Sequence, residues 1–443
     1  VVVAVVVVVC GVRGAAESAQ GVAREGAVVV GRGGRARSGV RAGREVGEEG
    51  QGRGGIGECA GCLVGVRGDA SWREWFAEEG KRAYGRTIPT TMAGKRYLTI
   101  RQPIGVVAAI APWNFPIAMI TRKVAPALAA GCTVVVKPAE ETPLCALAIA
   151  KLARDAGVPP GVVNVVTTTD AATTGQVLCD DDRVRKLSFT GSTAVGRTLY
   201  RQSAETLKKL TLELGGNAPL IVFDDADLHE AVAGTIASKY RNAGQTCVCA
   251  NRILVQSGIY DAFSQALVEA VRALPVGAGS EPGSKIGPLI NAAAIEKVDA
   301  LVADAVAHGG EVLCGGAHAD AGPLFYQPTV LGGVSPEAKL MQEEIFGPVA
   351  PLVRFETDDE AIALANDTPF GLAAYLFSQN LARAWRVAER LETGMVGVNE
   401  GIVSNEVVPF GGVKMSGLGR EGAAEGLDEY LETKYICLGG IAD

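Results

Sequence analysis

Between residues 105 and 223 the chain repeats one pattern: a short, mostly apolar run, a loop rich in Gly, Pro, Ser or Thr, and then a longer helical stretch. The runs are GVVAAI at 105–110, CTVVV at 132–136, VVNVV at 162–166, KLSF at 186–189 and PLIVF at 219–223. The run at 105–110 reads as a buried strand, and strands alternating with helices imply a parallel sheet. A sheet covered on both faces by its own connecting helices is parallel. Helices are expected after the loop PWNFP (112–116) through residue 128, over 142–156 and over 231–242; a further strand at 253–256 leads into a helix over 260–273. The fold class is therefore α/β in both halves, with ligands expected at the carboxyl ends of the strands.

Ahead of this region the character changes twice. Residues 1–70 are rich in Gly, Val, Arg and Glu, contain no Pro or Lys, and sustain neither a helical nor a strand period. They read as an Arg-rich leader, a flexible arm, or a mis-assembled or truncated N-terminus, the last being preferred, and they are left unassigned. At 71–80 SWREWFAEEG places aromatics on one helical face, and RYLTIRQ at 96–102 alternates as a half-exposed edge strand or hairpin does.

Several function classes drop out on composition. A formal net charge of −7 and a pI near 5.3 argue against nucleic acid, which needs a basic surface. Ten scattered cysteines fit a reduced intracellular protein; C-x-x-C at 59–62 has no second pair and reads as coincidence. The apolar run 1–12 is too short to span a bilayer and lacks a basic flank, and no later run reaches about 18 apolar residues, so no membrane association is expected. With only three histidines, His229, His308 and His318, a catalytic base is expected to be a carboxylate and no metal site is expected.

Some residues carry chemistry on their own terms. The loop TGSTAVG at 190–196, with Gly191 and Ser192, sits where a strand gives way to a helix and can approach a pyrophosphate, although a plain turn explains it equally well. Lys137 and Glu140 end a buried strand, where a lysine reaches a phosphate or ribose and a carboxylate accepts ribose hydroxyls; a solvated helix start is the competing reading. Glu213 lies in LTLELGGN (210–217) before a Gly-Gly turn. Cys247 sits in GQTCVC (244–249), among small residues that let backbone N–H groups approach an oxyanion, although most cysteines are merely buried fillers.

Taken in order, PWNFP (112–116), KPAE (137–140), FTGST (189–193), LELGG (212–216), GQTC (244–247), EEIFGP (343–348) and PFGG (409–412) resemble the aldehyde dehydrogenase superfamily over residues 71–443. CVCANR (247–252), VNEGIVS (398–404) and FGGVKMSGLGRE (410–421) are most similar to its succinate-semialdehyde branch of plant and green-algal type. Residues 1–70 do not match. The resemblance implies a Rossmann-type coenzyme domain over 71–215, interrupted by an oligomerisation hairpin at 86–103. It also implies an α/β catalytic domain over 216–413 and a C-terminal return with an oligomerisation strand over 414–443.

It further implies roles. Cys247 is the nucleophile, Glu213 the general base, and Asn114 with the Cys247 backbone N–H the oxyanion hole. Trp113, Lys137, Glu140, Gly191, Ser192, Glu344 and Phe346 would serve the cofactor, with NAD preferred because Glu140 repels a 2′-phosphate, and NADP tolerated through Lys137. Arg122, Arg241 and Ser404 would hold the distal carboxylate of a semialdehyde, although Arg122 alone reads as a helix surface charge. Cys249 would pair with Cys247 as a redox switch. The implied reaction is NAD(P)-dependent oxidation of succinate semialdehyde to succinate by a homo-oligomer, in the mitochondrial matrix or otherwise the cytoplasm. The alternatives are another aldehyde substrate, a cysteine hydrolase using a histidine, and an inactive relative.

Overall fold

The computed structural model describes residues 60–441. Most of the unassigned stretch 1–70, including Cys59, lies outside them. The first helix, α1 (Ala60–Glu79), begins well before the SWREWF segment. The sequence conceals this start because Gly61, Gly65 and Gly68 interrupt the stretch, and each glycine costs a helix about 1 kcal/mol relative to alanine. Trp72 and Phe76 of α1 are buried in the core of the first half. An antiparallel hairpin follows, β1 (Arg86–Ile88) with β2 (Arg96–Pro103), in the register Arg86 opposite Thr99.

The first α/β unit then runs β3 (Val106–Ile110), α2 (Pro116–Ala130), β4 (Thr133–Lys137), α3 (Pro143–Asp155), β5 (Val163–Val165), α4 (Ala171–Asp180), β6 (Val184–Thr190), α5 (Thr193–Ser203) and β7 (Lys209–Glu213). Its strands lie parallel in the order β7-β6-β3-β4-β5. From β3 the chain first moves to β4 on one side and later returns to β6 on the other, so the order reverses at β3. The crevice above the carboxyl ends of β3, β4 and β6 is the topological switch point at which such sheets bind ligands. Local sequence sets the ends: prolines open α2 and α3, where the missing N–H costs nothing, and Gly131 closes α2 in the left-handed region at φ 86°. Helix α4 escapes the sequence reading. Its Thr and Gly content lowers propensity, and its clearest signal is the Asp170 cap that accepts from Thr173 N–H at 3.0 Å.

The second unit contains β8 (Ala218–Val222), α6 (Leu228–Lys239), β9 (Ala250–Gln256), α7 (Tyr260–Arg272), α8 (Ala292–Ala307), β10 (Glu311–Cys314), β11 (Thr329–Gly332), β12 (Val349–Phe355), α9 (Asp358–Asn366), β13 (Phe370–Gly371), β14 (Ala373–Phe377), α10 (Leu381–Arg390) and β15 (Met395–Val398). Seven of these strands form a sheet ordered β10-β11-β12-β9-β8-β14-β15, parallel except for β10. Phe223, Phe263, Tyr326, Tyr375 and Phe377 fill its core.

The chain then returns to the first unit. Strand β16 (Val413–Lys414) pairs with β13, and β17 (Gly417–Leu418) pairs antiparallel with β7, setting Gly417 opposite Glu213. After α11 (Ala423–Asp428), β18 (Leu431–Leu438) pairs with β2 along its whole length. Strand β2 is thus central in a three-stranded sheet and not an edge. Its alternating pattern reports that the faces are half-exposed and carries no information about lateral neighbours. No helix among the described residues is long and apolar enough to cross a membrane, and no group of three or more His, Cys, Asp or Glu among them could hold a metal ion.

Candidate active site

Cys247 lies in the loop between α6 and β9, just ahead of the first residue of β9, an interior strand of the second sheet. Asn242, Ala243 and Gly244 all take left-handed conformations, with φ of 53°, 55° and 76°. A Cβ on Gly244 would stand 2.1 Å from the Gly347 carbonyl, so the turn packs directly against the loop 344–348. The turn is also tied to the first unit. Asn114 Nδ2 donates to Gln245 O at 3.0 Å, and Asn242 Nδ2 donates to Asn114 O at 3.2 Å. Asn114 keeps its second amide hydrogen for another acceptor. Gly216 must be glycine for the same closeness, since a Cβ there would meet the Cys247 carbonyl at 2.6 Å.

The Cys247 thiol stays partly open to a pocket, yet the surrounding protein pushes it up to about 12. Burial is the main cause; Glu344 and Glu213 add to it, while Arg122 and Arg241 oppose it. Glu213 closes β7 and is 3% exposed, with neither carboxylate oxygen hydrogen-bonded. Burial, then the charge of Glu421, raise its carboxyl well above the usual range, against Lys123, Arg122 and Arg420. Behind it Lys123 is ion-paired with Glu421 and donates to Thr190 Oγ1 at 2.6 Å.

The pocket above Cys247 measures about 130 Å³ and is lined by Phe115, Arg122, Arg241, Ser404 and Phe410, among others. Arg122 is buried, which corrects the reading of that residue as a surface charge: on α2 its side chain turns toward the returning chain. Its Nη2 donates to Ser404 Oγ at 2.6 Å, whereas Nε and Nη1, together with Nε of Arg241, are buried without a hydrogen bond. Burial lowers the Arg122 pKa; Glu421, Cys247 and Glu213 resist that shift, and Arg241 adds to it. Buried guanidinium N–H groups left without acceptors in a cavity define a site for an anion.

On the other side lies the switch-point crevice. Lys137 ends β4 and donates to Pro138 O at 3.0 Å and to Glu140 Oε2 at 3.1 Å, with the Glu140 carboxylate exposed. Burial would raise Glu140, but its own backbone N–H and Lys137 outweigh that and hold it below the usual range. Gly191 leaves room beside the Phe189 ring, which a Cβ would approach to 2.5 Å. Ser192 caps α5, its Oγ accepting from Val195 N–H at 3.4 Å. Glu344 Oε1 accepts from Gly216 N–H at 3.1 Å; burial, more than that contact or Lys297 and Lys239 can offset, pushes its carboxyl up to about 7. Phe346, at φ 55°, meets Trp113 edge-on with ring centroids 5.6 Å apart. A glycine-opened helix start, a lysine and an exposed carboxylate at neighbouring strand ends fit a dinucleotide.

A model of the family described as "Aldehyde dehydrogenase family" matches residues 62–436. The chain belongs to the aldehyde dehydrogenase family. It is 59% identical over 380 residues to the mitochondrial succinate-semialdehyde dehydrogenase of Oryza sativa subsp. japonica, covering 86% of this chain and 72% of that one. With the NADP(+) succinate-semialdehyde dehydrogenase of Escherichia coli K12 it shares 60% identity over 370 residues, 84% of this chain and 77% of that one. The crystal structure of succinate-semialdehyde dehydrogenase from Burkholderia pseudomallei superposes with a TM-score of 0.88 at 54% identity, covering 96% of this chain and 86% of that one.

Within this aldehyde dehydrogenase fold the expected site residues divide into groups. Cys247, Arg122, Arg241 and Ser404 share one pocket, with Asn114 tied to the Cys247 loop and Glu213 and Glu344 acting on the thiol electrostatically. Cys249 does not line that pocket. Its thiol is buried against α6, where Lys239 Nζ donates to it at 3.5 Å, and burial raises its pKa. His229 pairs with Glu230, His308 with Asp304 and His318 with Asp299, so none lines the pocket, which removes the base a cysteine hydrolase would need. Sequence reasoning did not single out Lys123, Glu421, Trp72 or Phe410. Each lay in or near a segment already marked, Trp72 in SWREWFAEEG, Phe410 and Glu421 in FGGVKMSGLGRE and Lys123 beside Arg122, but no local pattern gave it a role at this pocket.

Proposed function

We propose that this chain oxidises succinate semialdehyde to succinate with NAD(P), NAD being preferred. The observation that carries the reading is the set of unpaired guanidinium N–H groups on Arg122 and Arg241, beside Ser404, in the pocket of Cys247. A carboxylate at the far end of a short aldehyde would complete those hydrogen bonds while its carbonyl carbon lies at the thiol. Cys247, its thiol proton given up to water in the open pocket, forms the S–C bond as the thiolate while the carbonyl π bond breaks, and Asn114 Nδ2 with the Cys247 N–H receives the resulting oxyanion. The nicotinamide, when bound, accepts the hydride. Glu213 then takes a proton from the water that attacks the thioester carbon, and the S–C bond breaks to release the acid. Lys137, Glu140, Gly191, Ser192, Glu344, Phe346 and Trp113 would hold the cofactor, and Glu140, kept ionised, would disfavour a 2′-phosphate. The first sheet would serve as the coenzyme half and the second as the catalytic half. The word "mitochondrial" in the name of the rice relative supports a mitochondrial location for this chain.

A hydrogen bond to a charged group is worth roughly 1.5–3 kcal/mol, or about tenfold or more in affinity. Arg241→Ala is expected to raise KM for succinate semialdehyde by about that factor while leaving KM for butanal, uncharged and equally long, nearly unchanged. Reduced cofactor followed by absorbance is the measurement. Equal losses on both aldehydes, or no turnover of succinate semialdehyde by the parent protein, would overturn the reading.

A further inference from the structure

Trp72 lies on α1, far in sequence from every residue given a role in the reaction, yet it lines the substrate pocket. Its ring centroid stands 4.5 Å from the Arg122 guanidinium carbon, and the Phe410 ring stands at the same distance. The indole is itself confined. It is 3% exposed, its ring centroid is 6.2 Å from that of Phe76, and a Cβ on Gly422 would come within 3.0 Å of its edge.

The Arg122 head is thus flanked by two rings and held at one corner by Ser404, while Nε and Nη1 make no hydrogen bond. A long arginine side chain has many rotamers, and ordering it at the moment of binding costs affinity. Aromatic faces attract a guanidinium and remove that freedom beforehand, without consuming the N–H groups that lie in the guanidinium plane. We infer that Trp72 is a positioning residue that sets selectivity for carboxylate-bearing aldehydes by holding Arg122 in its binding orientation. This rests on the reading of the pocket as a carboxylate site.

The test compares Trp72→Leu, Trp72→Phe and Arg241→Ala with the parent, using succinate semialdehyde and butanal. Trp72→Leu is expected to raise KM for succinate semialdehyde roughly tenfold, with KM for butanal and both kcat values within about twofold, the size of a desolvated cation–ring contact. Trp72→Phe, which keeps a ring, is expected to recover most of the loss. Butanal turnover serves as the internal measure of folding. Equal effects on the two aldehydes, loss of both activities, or a Phe variant no better than the Leu variant overturns the inference. If Arg241→Ala discriminates between the aldehydes and Trp72→Leu does not, the positioning role fails and the pocket reading stands. If neither discriminates, both fall.

Discussion

Glu213 combines burial, a nearby second carboxylate and an absence of hydrogen bonds, and each favours the protonated form. A base must be ionised to accept a proton, so thioester hydrolysis gains rate as pH rises through this elevated pKa and loses it on the acid side. Rapid mixing is therefore expected to show a burst of reduced cofactor followed by a slow phase wherever hydrolysis is slower than acylation, the slow phase quickening as pH rises through the raised Glu213 pKa. Glu213→Gln should show the burst at every pH. A steady-state rate in the parent that does not rise with pH would contradict the assignment. At this scale the sequence was most legible where a motif fixes a residue's neighbours along the chain, as around Cys247 and Glu213. Arg122 was less so, because its surroundings come from α1 and residues 404–410, which no local pattern joins to α2.

In the first sheet β3 and most of β4 were readable because they are covered on both faces and nearly all apolar, whereas β6 (VRKLSFT) buries Lys186, Ser188 and Thr190. Helix α4 and the start of α1 were not readable, since Gly and Thr weaken their propensity and tertiary packing decides their conformation. The turn before Cys247 is intermediate: GQTC marks the place, but the left-handed run from Asn242 to Gly244 becomes visible only in three dimensions. Gly244 is the position where that turn is least tolerant. An alanine there would be strained at φ 76° and would drive its Cβ into the Gly347 carbonyl. Separating the two loops would displace Cys247 from Asn114 and from Glu344 together. Gly244→Ala is expected to lower kcat with succinate semialdehyde by at least about a hundredfold, consistent with the sensitivity of such chemistry to displacements near 1 Å, and to lower Tm. Parental kcat in this variant would mean that the turn does not position the thiol.

At the scale of the molecule, two α/β sheets are joined by a return that lays β17 on β7 and β18 on β2. The three-stranded sheet that results has little core of its own. Strand β18 has only its first residue buried, and its outer edge carries no neighbouring strand among the described residues. Tyr435 and Leu438, 57% and 43% exposed, lie on opposite faces of β18, and Ile88, 38% exposed, lies on β1 at the other edge of the same small sheet. An eight-residue strand with an open ladder and exposed apolar side chains is a surface that proteins normally cover or charge; Glu432 and Lys434 charge its first half, and Tyr435 to Leu438 are left without a charge. A second copy of the chain would cover it, in keeping with the oligomerisation role implied for residues 86–103 and 431–443. Light scattering coupled to size exclusion is expected to give a dimer or tetramer for the parent. Tyr435→Lys with Leu438→Asp should give a smaller species that still turns over aldehyde, because no residue of the sheet lines the substrate pocket. An unchanged mass in the double variant would place the interface elsewhere. A monomeric parent would leave β18 as a strand whose only partner is β2.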